Sequence, residues 1–408
     1  RYTASILTPM IPSSSRFMLP ALFVFLIAGG CTQELFPTPD EEGRPSISVV
    51  DSVTNSAQEK YDIPAAAAVI VRSDSILAYS ASGVRRQGLS AQVSAHDWFH
   101  LGSNTKALTA TLIALLVEQG KLSWGTTPLE VFPTLSDSIA PAFRTVTLEQ
   151  LLAHRAGLQP FTDMREYREL PPLDGTPKER RAAFSTFLLQ REPSYVPGSR
   201  FVYSNAGYAV AAAMAEQVSG VSFEQMMRQR LFEPLEINGG FGWPAAVDSN
   251  QPWGHRTRGG DMLQPHDPSG RYRLGPLMAP AGDVYMNMPD YGRFLQLHLC
   301  GLKGEETGLL SASTIQDIHE SRGRMTERTE APGYGLGWVV HAFRGVRSSS
   351  HAGSVGTFKA RATIQASRDL AIAVVANAGN EVADEATSKM RDALLKQYGA
   401  GEKRVSKQ

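Results

Sequence analysis

Residues Phe99–Leu122 read FHLGSNTKALTATLIALLVEQGKL. From about Asn104 to Gln119 the apolar residues Leu108, Leu112, Leu115 and Leu116 recur at three- and four-residue spacing, which predicts a helix, and Gly120 supplies its C-terminal stop. Ser103 falls where an N-cap belongs, and Lys106 lies one turn on along the same face. A serine hydroxyl is a weak nucleophile until a neighbour takes its proton. A lysine desolvated at the start of a buried helix has a lowered pKa and can take it. The partial positive charge of the helix N-terminus favours the developing alkoxide as well. For Ser103-Asn104-Thr105-Lys106 in isolation, a plain cap followed by a surface lysine is the commoner explanation, so the rest of the chain decides.

Outward from that helix, strands are expected at both ends of the chain and helices between. Ala65–Val71 and Ile76–Tyr79, separated by Ser73-Asp74-Ser75, read as an antiparallel hairpin, although the alanine run suits a helix by propensity. Short helical patterns follow at Leu148–Ala153, Glu179–Leu189, Tyr208–Val218 and Ser222–Leu231, with no strand-rich stretch of comparable size among them. Tyr334–Val340, Lys359–Ile364 and Leu370–Val375 then read as strands, and Val382, Ala386, Met390 and Leu394 mark a final helix face. Terminal strands around a helical block most simply join into one sheet. The fold class is therefore α/β (α+β): an antiparallel sheet flanked by helices, formed from both chain ends, with an inserted, mostly helical subdomain at about 125–293.

Composition narrows the function. The 408 residues are 42% hydrophobic and 20% charged, enough for a large core. Forty Lys+Arg balance forty Asp+Glu, so no global field recruits nucleic acid. Two cysteines, Cys31 and Cys300, are too few for a disulfide scaffold. An apolar run of about 13 residues follows Arg16 and reaches Cys31, too short to span a bilayer and of the length of a signal-peptide core. The expected layout is a signal peptide over 1–30, starting at Met10 or Met18, a polar tether over 31–46, the catalytic domain over 47–400 and a tail over 401–408. Ala28-Gly29-Gly30-Cys31 resembles the bacterial lipoprotein cleavage box, which would lipidate Cys31 and hold an exported protein in the periplasm or cell envelope. A Cys31–Cys300 disulfide is the alternative.

Beyond the helix itself, LLAHRAGL at Leu151–Leu158, PGSRFVYSNAGY at Pro197–Tyr208, FEPLEI at Phe232–Ile237 and His351-Ala352-Gly353 complete an ordered set. Together these resemble the serine β-lactamase and penicillin-binding superfamily, closest to its class C β-lactamase-like, esterase and D-alanyl-D-alanine carboxypeptidase branch. The resemblance implies Ser103 as acylated nucleophile, Lys106 as its activator and Tyr203 as phenolate or proton relay. It further implies Asn205 holding substrate and lysine, His351 and Gly353 in the third box, and the N–H groups of Ser103 and Ser354 as oxyanion hole. Where class C β-lactamases carry lysine, this chain has His351, a weaker partner for a substrate carboxylate. The resemblance thus points to an esterase or D-peptidase ahead of a β-lactamase. Such a protein would act as a monomer on an ester, D-amino-acid peptide or β-lactam, with no cofactor. An acylated or merely binding peptidoglycan or β-lactam sensor is the alternative. Met286–Tyr291, after Ala279–Gly282, resembles a wall segment of the site. His154 reads as structural, and His255, Asp261, His266 and Asp267, irregularly spaced in a Gly/Pro loop, as a weak metal candidate.

Overall fold

The computed structural model describes residues 47–163, 165–257, 262–270 and 275–399. The expected signal segment, the tether, Cys31 and the C-terminal tail lie outside them.

Along the chain the strands are β1 (Ala65–Val71), β2 (Ile76–Gly83), β3 (Phe99–His100), β4 (Gly239–Phe241), β5 (His255–Thr257) and β6 (Leu263–Pro265). They continue as β7 (Val284–Met286), β8 (Gly333–Tyr334), β9 (Val339–Phe343), β10 (Val346–Ser354), β11 (Lys359–Gln365) and β12 (Leu370–Ala376). Seven form one sheet in the order β2-β1-β12-β11-β10-β9-β8, antiparallel throughout, so both chain ends build it as expected.

The alanine run takes the strand conformation because β1 is central and covered on both faces. Ala66, Ala68 and Ile70 pack with Val50, Ala383 and Met390 of the helices Ile47–Lys60 and Glu381–Tyr398. Ala67, Val69 and Val71 face the opposite core, with Tyr291, Phe294 and Leu295 of helix Met288–Leu302. The four alanines and three branched residues of β1 give apolar side chains to both faces, which lets helices close on either side.

Several expectations change. Tyr334–Val340 is two strands, β8 and β9, interrupted at Gly335–Trp338, where Gly337 takes a positive φ of 83°. The Met286–Tyr291 stretch is the end of β7 and the start of helix Met288–Leu302, with Met288 and Tyr291 in the core. The middle of the chain also carries β3, β7 and β4 as a small sheet, too short for alternation to reveal.

One buried ion cluster ties the helical block together. Arg181, fully buried, donates to Glu216 at 2.6 and 3.1 Å, to Glu224 at 2.8 Å and to the Pro276 carbonyl at 2.6 Å. Arg181→Leu strands the buried Glu216 carboxylate and should lower unfolding free energy by roughly 3–5 kcal/mol. Urea midpoints check this, and a loss below about 1 kcal/mol would contradict it.

Candidate active site

Behind β3 the chain turns sharply through Gly102, at φ 54°, into a 3₁₀ turn over Gly102–Asn104 and then helix Thr105–Glu118. A Cβ on Gly102 would sit 2.6 Å from the Ser354 nitrogen, and one on Gly353 would collide with the Leu101 carbonyl. Two glycines therefore let the turn that carries Ser103 lie backbone against backbone on the end of β10. The Ser354 peptide is thereby pressed onto the turn that carries Ser103. Ser103 is not the expected N-cap: it lies inside the 3₁₀ turn, and Asn104, itself in helical conformation, precedes the helix without a side-chain cap bond. With Ser103 inside the turn, its hydroxyl bonds to Tyr203 and Lys106.

The turn is braced from below. His100 Nδ1 accepts the Gly102 N–H at 3.0 Å, and its Nε2 lies 3.4 Å from Asp283. Thr105 Oγ1 donates to the Gly102 carbonyl at 2.7 Å and accepts the Val284 N–H at 3.0 Å. His100 lies within the Phe99–Leu122 stretch, where the sequence assigns it no role, and the sequence does not single out Asp283.

Lys106 is fully buried. Its Nζ lies 2.8 Å from Asn205 Oδ1, 2.7 Å from the Ala281 carbonyl and 3.5 Å from Ser103 Oγ. It also stands 4.7 Å from the Tyr203 ring centroid and 5.4 Å from that of Tyr208. None of these partners is a carboxylate, and burial pushes the lysine pKa well below its ordinary value. A neutral amine has two N–H bonds and one lone pair. As an ammonium Lys106 donates to all three oxygens; in its neutral form Asn205 and Ala281 take the two N–H bonds and the lone pair is left for Ser103.

Asn205 is held in turn. It opens helix Asn205–Ser219, whose N-cap Ser204 accepts the Gly207 N–H at 3.0 Å. Its Nδ2 donates to the Phe161 carbonyl at 3.0 Å, which fixes Oδ1 toward Lys106. Tyr203, partly covered, hydrogen-bonds Ser103; desolvation raises its phenol pKa above the ordinary value and that bond pulls the other way. The phenol is therefore protonated at neutral pH.

His154 is drawn into the same layer. Its ring centroid is 4.4 Å from that of Tyr203, and its Nδ1 accepts the Ser204 N–H at 3.0 Å. His351 sits 6.4 Å from Tyr203, ring to ring; its Nδ1 donates to the Ala352 carbonyl at 2.8 Å and its Nε2 accepts from the Tyr334 hydroxyl at 3.1 Å. Burial lowers its pKa to about 3, so it is neutral. Tyr334, missed as a partner in the sequence, fixes its orientation.

The metal candidate does not assemble. His255 uses both nitrogens on backbone, accepting the Gln87 N–H at 3.0 Å and donating to the Asn377 carbonyl at 2.8 Å, while Asp261 lies outside the described residues. No group of three His, Cys, Asp or Glu among the described residues could hold a metal. Cys300 is buried, with its Sγ 3.2 Å from the Ser73 carbonyl.

The Beta-lactamase family matches the chain over residues 50–397. The chain belongs to the Beta-lactamase family. Its fold and its membership of a family of serine hydrolases follow directly. Penicillin-binding protein 4 of Amycolatopsis lactamdurans is 29% identical over 314 residues, 73% of this chain and 78% of that protein. A Beta-lactamase of Escherichia coli (strain K12) is 27% identical over 252 residues, 61% of this chain and 58% of that one. In three dimensions the octameric penicillin-binding protein homologue from Pyrococcus abyssi superposes with a TM-score of 0.70 at 22% identity, covering 84% of this chain and 75% of that one. Within this Beta-lactamase family member the ordered motifs of the sequence converge on one centre: Ser103, Lys106, Tyr203 and Asn205, with His351, Gly353 and Ser354 on the adjoining strand.

Proposed function

We propose that the chain is an exported serine hydrolase that cleaves ester or amide bonds through an acyl-enzyme on Ser103. The observation that carries this is the buried Lys106, whose Nζ stands 3.5 Å from Ser103 Oγ with the Asn205 amide oxygen and the Ala281 carbonyl as its other partners and no carboxylate among them to hold its proton. As Oγ attacks the carbonyl carbon, Lys106 accepts the hydroxyl proton. The carbonyl oxygen becomes an oxyanion held by the Ser103 and Ser354 N–H groups, which the packing of Gly102 on β10 supports. Protonated Tyr203, bonded to Ser103, acts as the relay that passes a proton to the leaving group. Lys106 returns its proton to the Tyr203 phenolate; water then attacks the acyl carbon as it gives a proton to Lys106, and Lys106 passes that proton to Ser103 Oγ as the acid departs.

A neutral His351 tied to Tyr334 supplies no fixed positive charge to a substrate carboxylate, which favours an esterase or D-peptidase over a β-lactamase. Export and lipid anchoring at Cys31 are part of the proposal and rest on the sequence from Met18 to Cys31.

Intact mass over time, with an activated short-chain ester and separately with a penicillin, tests the reading. A transient ester adduct in the wild type, absent in Ser103→Ala, with penicillin inert or trapped, is expected. A stable adduct without turnover would replace the hydrolase with a sensor, and no added mass at all would overturn the nucleophile.

A further inference from the structure

A cleft of about 580 Å³ opens beside the loop that leads into Tyr203, between Ser199–Phe201 and the Gly323–Glu327 segment. Three arginines line it, Arg155, Arg200 and Arg324, against a single carboxylate, Glu327. None of the three makes an ion pair among the described residues. Arg155 is nonetheless held in place. Its Nη2 donates to the Gly198 carbonyl at 2.7 Å, and its Nη1 lies 2.7 Å from where a Cβ on Gly323 would stand, so the guanidinium closes on that glycine. Arg200 lies 5.0 Å over the Tyr195 ring.

The cleft shares a wall with the catalytic centre. Phe201 lines it, and the Phe201 ring packs 5.5 Å from His154 and 5.5 Å from Tyr334, the two side chains that touch Tyr203 and His351. Phe201 also stands two residues before Tyr203 in non-helical chain, a reach of roughly 7 Å. His351, neutral and tied to Tyr334, brings no fixed positive charge to the site. Guanidiniums without ion-pair partners gathered around a concave surface focus a positive field, and their forked donors match a carboxylate.

We infer that this arginine-lined cleft is a subsite for an anionic group of the substrate, a carboxylate remote from the scissile carbonyl. The inference rests on the hydrolase reading above. It makes the cognate substrates acidic acyl compounds or acidic peptides, in preference to neutral esters of equal length.

The test compares p-nitrophenyl hexanoate with the p-nitrophenyl monoester of adipic acid, using the wild type and the Arg200→Gln/Arg324→Gln double variant of the full chain. The wild type should favour the acidic ester in kcat/KM. The double variant should lose that preference by about tenfold while hydrolysing the neutral ester unchanged, and added salt should shrink the wild-type preference in the same direction. An unchanged ratio between wild type and variant would overturn the subsite. If neither ester is cleaved or adds mass at Ser103, the hydrolase reading fails separately. Calorimetric titration with adipate and hexanoate then decides the cleft: adipate binding lost in the double variant supports it, and equal or no binding of the two acids overturns it.

Discussion

Lys106→Met lowers turnover of the activated ester by about 10²–10⁴-fold, the usual contribution of a positioned general base. The same variant should change how stability responds to pH. Lys106 has a folded-state pKa below the value of about 10.5 that it holds in the unfolded chain. Between those two pKa values the unfolded chain binds a proton that the native protein refuses, so wild-type stability rises with pH there, by about 1.4 kcal/mol per unit. Methionine carries no proton in either state, and its variant lacks this slope. The Asn205 and Ala281 oxygens left without a donor shift the stability midpoint, so the slope is the cleaner readout. Urea midpoints of both proteins from pH 7 to 9.5 check it. Parallel slopes would mean that the lysine is charged in the native site and is not the base.

Acidification should unfold the protein between about pH 6 and pH 4. Burial lowers the pKa of His298 and His351 to about 3 and of His255 to about 4, and depresses His154 and His319 well below the ordinary value. At pH 7.5 these rings are neutral whether the chain is folded or not. As pH falls through the unfolded value of about 6.5, the unfolded chain takes up protons that the native structure excludes, and stability drains until the folded pKa values are reached. Each histidine costs about 1.4 kcal/mol per pH unit in that window. By pH 5 their combined pull is on the order of 10 kcal/mol, comparable with the whole stability of a domain. The His298–His319 pair adds to it: His298 donates or accepts at 2.9 Å to both Thr111 and His319, an arrangement that a second proton breaks. Circular dichroism against pH, with urea midpoints at pH 7.5, 6.5 and 5.5, measures the effect. A midpoint flat from pH 7.5 to 5 would contradict it.

Much of this was legible one-dimensionally. The three- and four-residue spacing of Leu108, Leu112, Leu115 and Leu116 marked the helix behind Ser103, and the terminal strands pointed to one sheet, because periodic burial leaves a periodic sequence. Ser103, Lys106, Tyr203, Asn205 and His351 could be picked out because their motifs are short and ordered along the chain. Strands of two or three residues, such as β3, β4 and β7, are too brief for any period, and the break at Gly335–Trp338 hides inside an apolar run.

The sequence by itself determined the sheet built from both ends, the helical middle and a serine one turn from a lysine. Only the tertiary structure decided that this lysine is buried with no carboxylate partner and its pKa driven down, since its partners Asn205 and Ala281 lie 99 and 175 residues away. It alone also seated His351 on Tyr334 and gathered Arg155, Arg200 and Arg324 around one cleft. Periodicity is written locally along the chain. Protonation state and field depend on desolvation and distance, which exist only once remote segments cover one another.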